Sequence, residues 1–215
     1  MSKVVNFAAF DRDIINRILF WCEYAPNLIF TCKLFCSYAK KIRTPWFFTD
    51  VQLSLLTNLQ TLNCGVNENF TDESLSMLTN LQTLDCGWNK FFTNSSLSLL
   101  TNLQTLKCGW NKNFTDESLS LLTNLQTLKC GFNKNFTVVP LSLLINLQTL
   151  DRGLNNNFTN VPLSLLTNLQ IFDCALDDNF IDAPFSLLLK SLAEKVVGTQ
   201  KLQVNRFFFN KFTDP

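Results

Sequence analysis

Apolar and polar positions alternate along the chain in a unit of 22 residues that recurs nearly letter for letter. In the unit that begins at Leu103, the apolar residues Leu106 and Cys108 alternate with polar ones, which predicts a short strand with one buried face. A fixed period of this length predicts a solenoid, whose core forms only when units stack on one another. A partial copy begins at Phe48, and six full copies follow from Leu59, Leu81, Leu103, Leu125, Leu147 and Leu169.

Two further columns follow the predicted strand in each unit. An asparagine stands at a tight bend, where its amide is expected to bond backbone groups of its own and neighbouring units, each bond contributing about 1 kcal/mol. A phenylalanine follows, and burying each ring is expected to contribute roughly 1.5–3 kcal/mol. The asparagine column is Asn67, Asn89, Asn111, Asn133 and Asn155, with Asp177 last, and the phenylalanine column is Phe70, Phe92, Phe114, Phe136, Phe158 and Phe180.

The pattern L-x-x-L-x-C-x-x-N-x-x-F resembles the leucine-rich repeat over residues 48 to about 190. The resemblance implies an α/β solenoid with a parallel sheet on its concave side and mostly non-strand structure on its convex side. Early convex segments such as Thr71–Ser74 are typical of a capping turn into a short helix. Later segments, such as the one that contains Pro140, suit either a turn with proline at its first helical position or an extended stretch. Residues 191–215 are interpreted as a C-terminal cap, with a last strand at 201–209.

Composition limits the chemistry. The net charge is +1 and histidine is absent, which removes histidine-based catalysis and metal binding and indicates no enzyme, cofactor or metal site. No apolar run is long enough for a membrane span, and the N-terminus does not resemble a signal peptide. Stacked thiols have a poor geometry for disulfides, so a reducing intracellular compartment, cytoplasm or nucleus, is expected. The cysteine column, predicted to point inward, is Cys64, Cys86, Cys108, Cys130 and Cys174.

Residues 1–47 do not repeat and carry seven basic against three acidic residues. Two helical stripes are predicted, the second ending at Lys40–Arg43, where basic side chains suit a helix C-terminus. Residues 10–19 and 31–35, with Trp46, resemble the F-box, although Asp11 replaces that family's usual proline. The alternative is a helical cap over the first edge of the solenoid. The resemblance implies docking on a Skp1-type adaptor through Phe10, Ile14, Ile18, Leu19, Cys32 and Phe35.

Solvent-facing columns that differ between units are the candidate partner-binding residues. The column between the two inward strand residues forms a concave strip about 24 Å long, consisting of Asn63, Asp85, Lys107, Lys129, Asp151 and Asp173. Beyond the strand lies an aromatic column of Trp88, Trp110 and Phe132, between Val66 and Leu154. Beside it lies a lysine column of Lys90, Lys112 and Lys134, after Glu68.

Aromatic rings beside cations are enriched at recognition hot spots and permit cation–π contacts. The alternative is that the rings only shield one another along the ridge. A nucleic-acid partner is disfavoured because the flanks of the strip are acidic and the net charge is near zero.

Arg152 breaks the cysteine column, where a charged side chain would face the core. An unpaired buried charge costs several kcal/mol, so the side chain is expected to reach solvent, to pair with a carboxylate, or to mark a locally distorted strand. The residue is interpreted either as a tolerated local defect, which the sequence favours, or as a functional anchor.

These features predict an adaptor that binds a protein on its concave face and, through the F-box-like segment, presents it to a Skp1/cullin-type ubiquitin ligase. The alternative is a structural or assembly protein that uses the repeats for static contacts. An enzyme fits the sequence least well.

Overall fold

The computed structural model describes residues 41–43, 49–65, 67–155, 157, 166–176 and 203–208. Within these ranges, eight strands form one parallel sheet in sequence order. Leu84, Leu106 and Leu128 pair in direct register, so each unit of 22 residues adds one rung to the sheet. The strands are β1 (Lys41–Arg43), β2 (Thr61–Asn63), β3 (Thr83–Asp85), β4 (Thr105–Lys107), β5 (Thr127–Lys129), β6 (Thr149–Gly153), β7 (Ile171–Leu176) and β8 (Gln203–Phe208). The predicted α/β solenoid with a parallel sheet is confirmed.

Short helical segments lie between the strands on the convex side. The helices are α1 (Asp50–Ser54), α2 (Asp72–Leu75), α3 (Asn94–Leu97) and α4 (Asp116–Leu119), and a 3₁₀ turn spans Pro140–Leu143. The hydroxyls of Thr71 and Thr115 accept hydrogen bonds from the first-turn amides, as expected for capping residues. Pro140 begins the 3₁₀ turn, where its missing N–H costs no hydrogen bond. The predicted capping turns are therefore confirmed in the described units, and of the two forms expected for the later segments, the turn is the one observed at Pro140.

The core consists of the inward columns, stacked rung upon rung. The four described phenylalanines of the spine are fully buried, and so are the leucines above and below them. Four cysteines of the column are buried free thiols. Burial and the neighbouring thiols raise the pKa of Cys86 well above its ordinary value. The inward prediction is confirmed for Phe70, Phe92, Phe114, Phe136, Cys64, Cys86, Cys108 and Cys130; Phe158, Phe180 and the Cys174 side chain lie outside the described residues.

The buried asparagine column joins adjacent rungs. Asn111 Nδ2 donates to the carbonyl oxygen of Phe92 in the preceding unit, at 3.4 Å. Its Oδ1 accepts from the backbone amides of Asn113, at 2.8 Å, and Phe114, at 3.2 Å. One side chain thus satisfies three backbone groups around a bend that no regular structure covers, as the sequence predicted.

A second polar ladder on the convex side was not predicted. One carboxylate oxygen of Asp72 accepts from the backbone amide of Thr93 at 2.8 Å and the other from the Thr93 hydroxyl at 2.5 Å, while Ser96 Oγ also donates to Asp72. Asn94 plays the same part toward the next unit, accepting from the Thr115 amide at 3.0 Å. The first turn of each helix is therefore tied to the following helix, a role that capping patterns within one unit do not reveal.

The ends of the sheet correct one prediction and confirm another. Lys41–Arg43 is strand β1, which pairs with β2, and not the end of a helix. The reason is that an added rung satisfies the backbone groups along the edge of β2, which a helix end would leave exposed. Strand β8 pairs with β7 along its full length, which confirms the predicted last strand.

Candidate interaction surface

The concave strip forms as predicted, because its residues occupy one register position in successive strands. Asp85 pairs with Lys107, Lys107 with Lys129, and Lys129 with Asp151 across the ladder. Lys107 Nζ lies 3.4 Å from Asp85 Oδ2, and Lys129 Nζ lies 3.6 Å from Asp151 Oδ2. Each lysine thus leans outward onto an acidic neighbour. The positive charge at the centre of the strip is therefore largely compensated within the strip itself.

The acidic end of the strip lies beside an irregularity in the sheet. Asp151 Oδ1 accepts from the backbone amide of Gly153 at 3.1 Å. Asp173, its neighbour in the next strand, has one buried carboxylate oxygen without a hydrogen-bond donor among the described residues. Within the described part of the chain, Asp173 is therefore the carboxylate of the strip that lacks a donor for one of its oxygens.

The irregularity is caused by Arg152, which is 1% exposed and does not reach solvent. The register between β6 and β7 shifts between Asp151 and Gly153, so Arg152 is the extra residue of a β-bulge. Its guanidinium donates to the carbonyl oxygen of Asn155 at 2.9 Å. Local distortion of the strand, one of the expectations for this residue, is observed. In this unit the residue with a left-handed backbone is Gly153, at φ 49°. In earlier units it is the next residue along, the one equivalent to Leu154.

The aromatic column is a continuous stack. The rings of Trp88 and Trp110 lie 4.6 Å apart and those of Trp110 and Phe132 lie 4.0 Å apart, each pair inclined by 16°. Trp88 is nevertheless 54% exposed and Trp110 is 39% exposed. The rings cover one another's faces and present their edges to solvent, so both features weighed in the sequence, mutual shielding and exposure, are present.

The backbone of this column is unusual. Trp88, Trp110 and Phe132 have φ values of 69°, 66° and 64°, a left-handed conformation that bulky residues rarely adopt. The amide of Trp110 donates to the carbonyl oxygen of Gly131 in the next rung at 3.0 Å. Glycine precedes each aromatic because the rungs approach closely there: a Cβ on Gly109 would lie 3.2 Å from that same oxygen. The turn therefore requires glycine for space and imposes its strain on the aromatic residue.

The lysine column divides into paired and unpaired members. Lys90 Nζ lies 3.4 Å from Glu68 Oε1, and both side chains are largely exposed. Lys112 and Lys134 are exposed and form no ion pair within the part of the chain that the structure describes. No cation–π contact is found between the described lysines and rings, since the rings already face one another. The uncompensated positive charge of this surface therefore lies at Lys112 and Lys134, two residues beyond Trp110 and Phe132.

A second surface, which sequence analysis missed, lies at the opposite end of the strands. Side-chain amides of the repeated T-N-L-Q segment line a channel of about 810 Å³ that crosses successive rungs. The signal was present, since both amides recur in each full unit. The sequence alone does not single these amides out, because binding residues of a solenoid are expected in columns that differ between units.

The residues that match the F-box pattern cannot be placed. Phe10, Ile14, Ile18, Leu19, Cys32 and Phe35 lie outside the described residues.

Among the residues that are described, no group of acidic or cysteine side chains could hold a metal ion. None of the described helices combines the length and the apolar character needed to cross a membrane.

No protein-family model and no curated protein matches the chain. Solved structures do match. An internalin, InlF, from Listeria monocytogenes str. 4b F2365 is 25% identical with a TM-score of 0.52, covering 74% of this chain and 44% of that one. Internalin C2 from the same strain is 20% identical with a TM-score of 0.51, covering 81% of this chain and 84% of that one. The functional domain of InlJ from Listeria monocytogenes is 27% identical with a TM-score of 0.49, covering 66% of this chain and 33% of that one.

The chain spans less than half the length of the InlF and InlJ chains that it matches. The similarity to InlF and internalin C2 agrees with the rungs, the inward columns and the asparagine ladder described above. The chain has the fold of a leucine-rich-repeat solenoid.

Proposed function

We propose that the chain is a non-enzymatic adaptor that binds a protein partner on the aromatic and lysine columns and on the adjoining concave strip. The observation that carries this proposal is the strained and exposed aromatic column. Holding an L-residue in the left-handed region costs roughly 1–2 kcal/mol, and such strain concentrates at functional sites. The chain places bulky aromatic side chains at three successive positions of this column, where glycine would avoid the backbone strain.

Stacking recovers only part of this cost. An aromatic pair contributes roughly 0.5–1.5 kcal/mol beyond its buried area, and the three residues form two such pairs. The stack does, however, fix the rings in one orientation before a partner arrives. Rigid aromatic side chains lose little entropy on binding, which favours their use as anchors at interfaces.

The charges indicate which kind of partner fits. The lysines of the concave strip are matched by its own carboxylates, whereas Lys112 and Lys134 form no ion pair among the described residues. A partner segment with a carboxylate next to an apolar side chain would complement both features. Electrostatic complementarity of this kind contributes mainly to specificity and association rate.

A co-purification experiment with mass spectrometry would identify the partner. Lys112→Ala/Lys134→Ala is then expected to weaken binding about tenfold and to reduce its salt dependence. Thr79→Glu/Thr101→Glu is a matched control, because both residues are exposed and the change in net charge is the same. Equal loss of affinity in both double variants would show that net charge, rather than this surface, governs binding.

The finer proposal concerns residues 1–47. As the resemblance to the F-box implies, this segment would dock on a Skp1-type adaptor, so that the repeats present their partner to a ubiquitin ligase. Ile18→Asp should abolish capture of such an adaptor while leaving partner binding intact. If the adaptor is still captured, the segment is not an F-box. Stoichiometric incorporation into a particle without any Skp1-type adaptor would instead support the assembly role.

We place this activity in a reducing intracellular compartment. The four described cysteines remain free thiols although they stack in one column. Disulfides in the protein isolated from its native source, detected by mass spectrometry without reduction, would contradict this placement.

A further inference from the structure

The amide channel is formed by two parallel rows of side chains, one of asparagine and one of glutamine. The asparagine row precedes the glutamine row by two residues in each unit, and both cross the strands at right angles. The channel volume of about 810 Å³ lies within the range of ligand-binding clefts. The glutamine row consists of Gln60, Gln82, Gln104 and Gln126.

The two rows differ in their role in the fold. Asn102 Nδ2 donates to the carbonyl oxygen of Thr79 in the preceding rung at 2.9 Å, and Asn80, Asn124 and Asn146 make the equivalent bond. Their Oδ1 atoms remain as acceptors. The glutamine side chains form no hydrogen bond within the described residues. Each rung therefore offers one acceptor from asparagine and one donor–acceptor amide from glutamine.

The fold explains the repetition of asparagine but not that of glutamine. The strand column three residues after each glutamine has diverged into asparagine, aspartate and lysine, yet glutamine is unchanged in all six full units. A partly or fully exposed side chain that forms no hydrogen bond in the described structure is thus present in every full unit. This regularity suits a linear ligand whose own repeat matches the spacing of the rungs.

The chemistry of the channel restricts that ligand. The lining carries no charge, which disfavours phosphates, nucleic acids and acidic peptides. Rungs are about 4.8 Å apart, whereas an extended peptide laid along the rows would advance about 3.3 Å per residue and fall out of step. A β-linked pyranose chain advances by roughly one rung per sugar. Successive sugars are turned about the chain axis, but each of them presents hydroxyl donors and acceptors to an amide pair, which can also donate and accept. We propose that the amide channel binds a linear, uncharged polysaccharide, one sugar per rung.

The test uses the full chain and three neutral β-linked hexasaccharides as probes, cellohexaose, xylohexaose and chitohexaose, measured by isothermal titration calorimetry. At least one should bind with a dissociation constant of about 1 mM or below, and the matching disaccharide should bind about tenfold more weakly. Gln82→Ala/Gln104→Ala/Gln126→Ala should weaken binding at least about tenfold, with an unchanged thermal unfolding midpoint.

Lys112→Ala/Lys134→Ala, on the opposite edge, should bind the sugar normally. If the triple variant unfolds at lower temperature, the single change Gln104→Ala takes its place and should weaken binding measurably. Absence of binding by all three hexasaccharides, or equal binding by the wild-type chain and a folded glutamine variant, would overturn the proposal. Neither result bears on the protein-binding role, whose readouts involve the other edge of the sheet.

Discussion

The strain in the aromatic column can be measured by comparing two substitutions at Trp110. Alanine at this position keeps the left-handed backbone and its cost of roughly 1–2 kcal/mol, whereas glycine adopts the same conformation freely. Elsewhere glycine lowers stability by roughly 0.5–1 kcal/mol relative to alanine, because it loses more conformational entropy on folding. We therefore expect Trp110→Gly to be equal to or more stable than Trp110→Ala, by up to about 1.5 kcal/mol. Both variants lose the stacking with Trp88 and Phe132, so that contribution cancels.

Leu154 provides a matched control within the chain. It occupies the same column two units later, but it is not among the described residues with a positive φ, because the bulge has moved that conformation to Gly153. Leu154→Gly should therefore be less stable than Leu154→Ala by roughly 0.5–1 kcal/mol. Subtracting the two glycine–alanine differences cancels the glycine entropy and leaves about 1–2 kcal/mol, the cost of the left-handed backbone.

Urea unfolding followed by far-ultraviolet circular dichroism measures all four variants without relying on the fluorescence of the altered tryptophan. Comparison of midpoints requires equal denaturant dependence, since repeat arrays can lose cooperativity. If glycine is less stable than alanine by the same amount at both positions, Trp110 is not strained. The main argument for a functional aromatic column would then fail.

Two further predictions concern the ladders and the core. Asp72→Ala should lower the free energy of unfolding by roughly 1–3 kcal/mol, because Thr93 and Ser96 lose their hydrogen-bond acceptor. Asp72→Asn should lower it by less than about 1 kcal/mol, since Asn94 fills the same role one unit later. Equal losses of the two variants in urea unfolding would refute this prediction. Burial raises the pKa of Cys86 in the folded state. Above the ordinary thiol pKa of about 8.5, the thiol therefore loses its proton when the chain unfolds. The free energy of unfolding then falls with pH, by up to about 1.4 kcal/mol per pH unit for that thiol. Between pH 7 and about pH 10, Cys86→Ala should therefore lose stability less steeply than the wild-type chain, and parallel curves would contradict the assignment.

Much of the fold could be predicted because the repeat supplies its own alignment. The inward positions of Leu106, Cys108 and Phe114 follow from alternation and period alone. The asparagine bonds followed from the need to satisfy backbone groups at a bend. Strand β1 could not be predicted this way, since Lys41–Arg43 carries no trace of the repeat and takes its conformation from the edge of β2.

The candidate site was predicted as a set of columns but not as a set of interactions. Sequence spacing placed Lys107 beside Asp85, yet the distance that neutralises it depends on side-chain geometry. The uncharged amide channel was not predicted, because binding residues were expected in the columns that differ between units. The channel instead arises from residues that are the same in each unit.

The sequence by itself determined the number of full repeats, the residues that face the core and the columns that face solvent, because a 22-residue period brings equivalent residues to equivalent places. Only the tertiary structure decided how those columns interact. The carboxylate ladder from Asp72 to Thr93, the stacked rings at positive φ and the bulge at Arg152 join residues 21 or 22 positions apart or move one residue out of register. Such contacts depend on the spacing and twist between rungs, which no single unit of the sequence encodes.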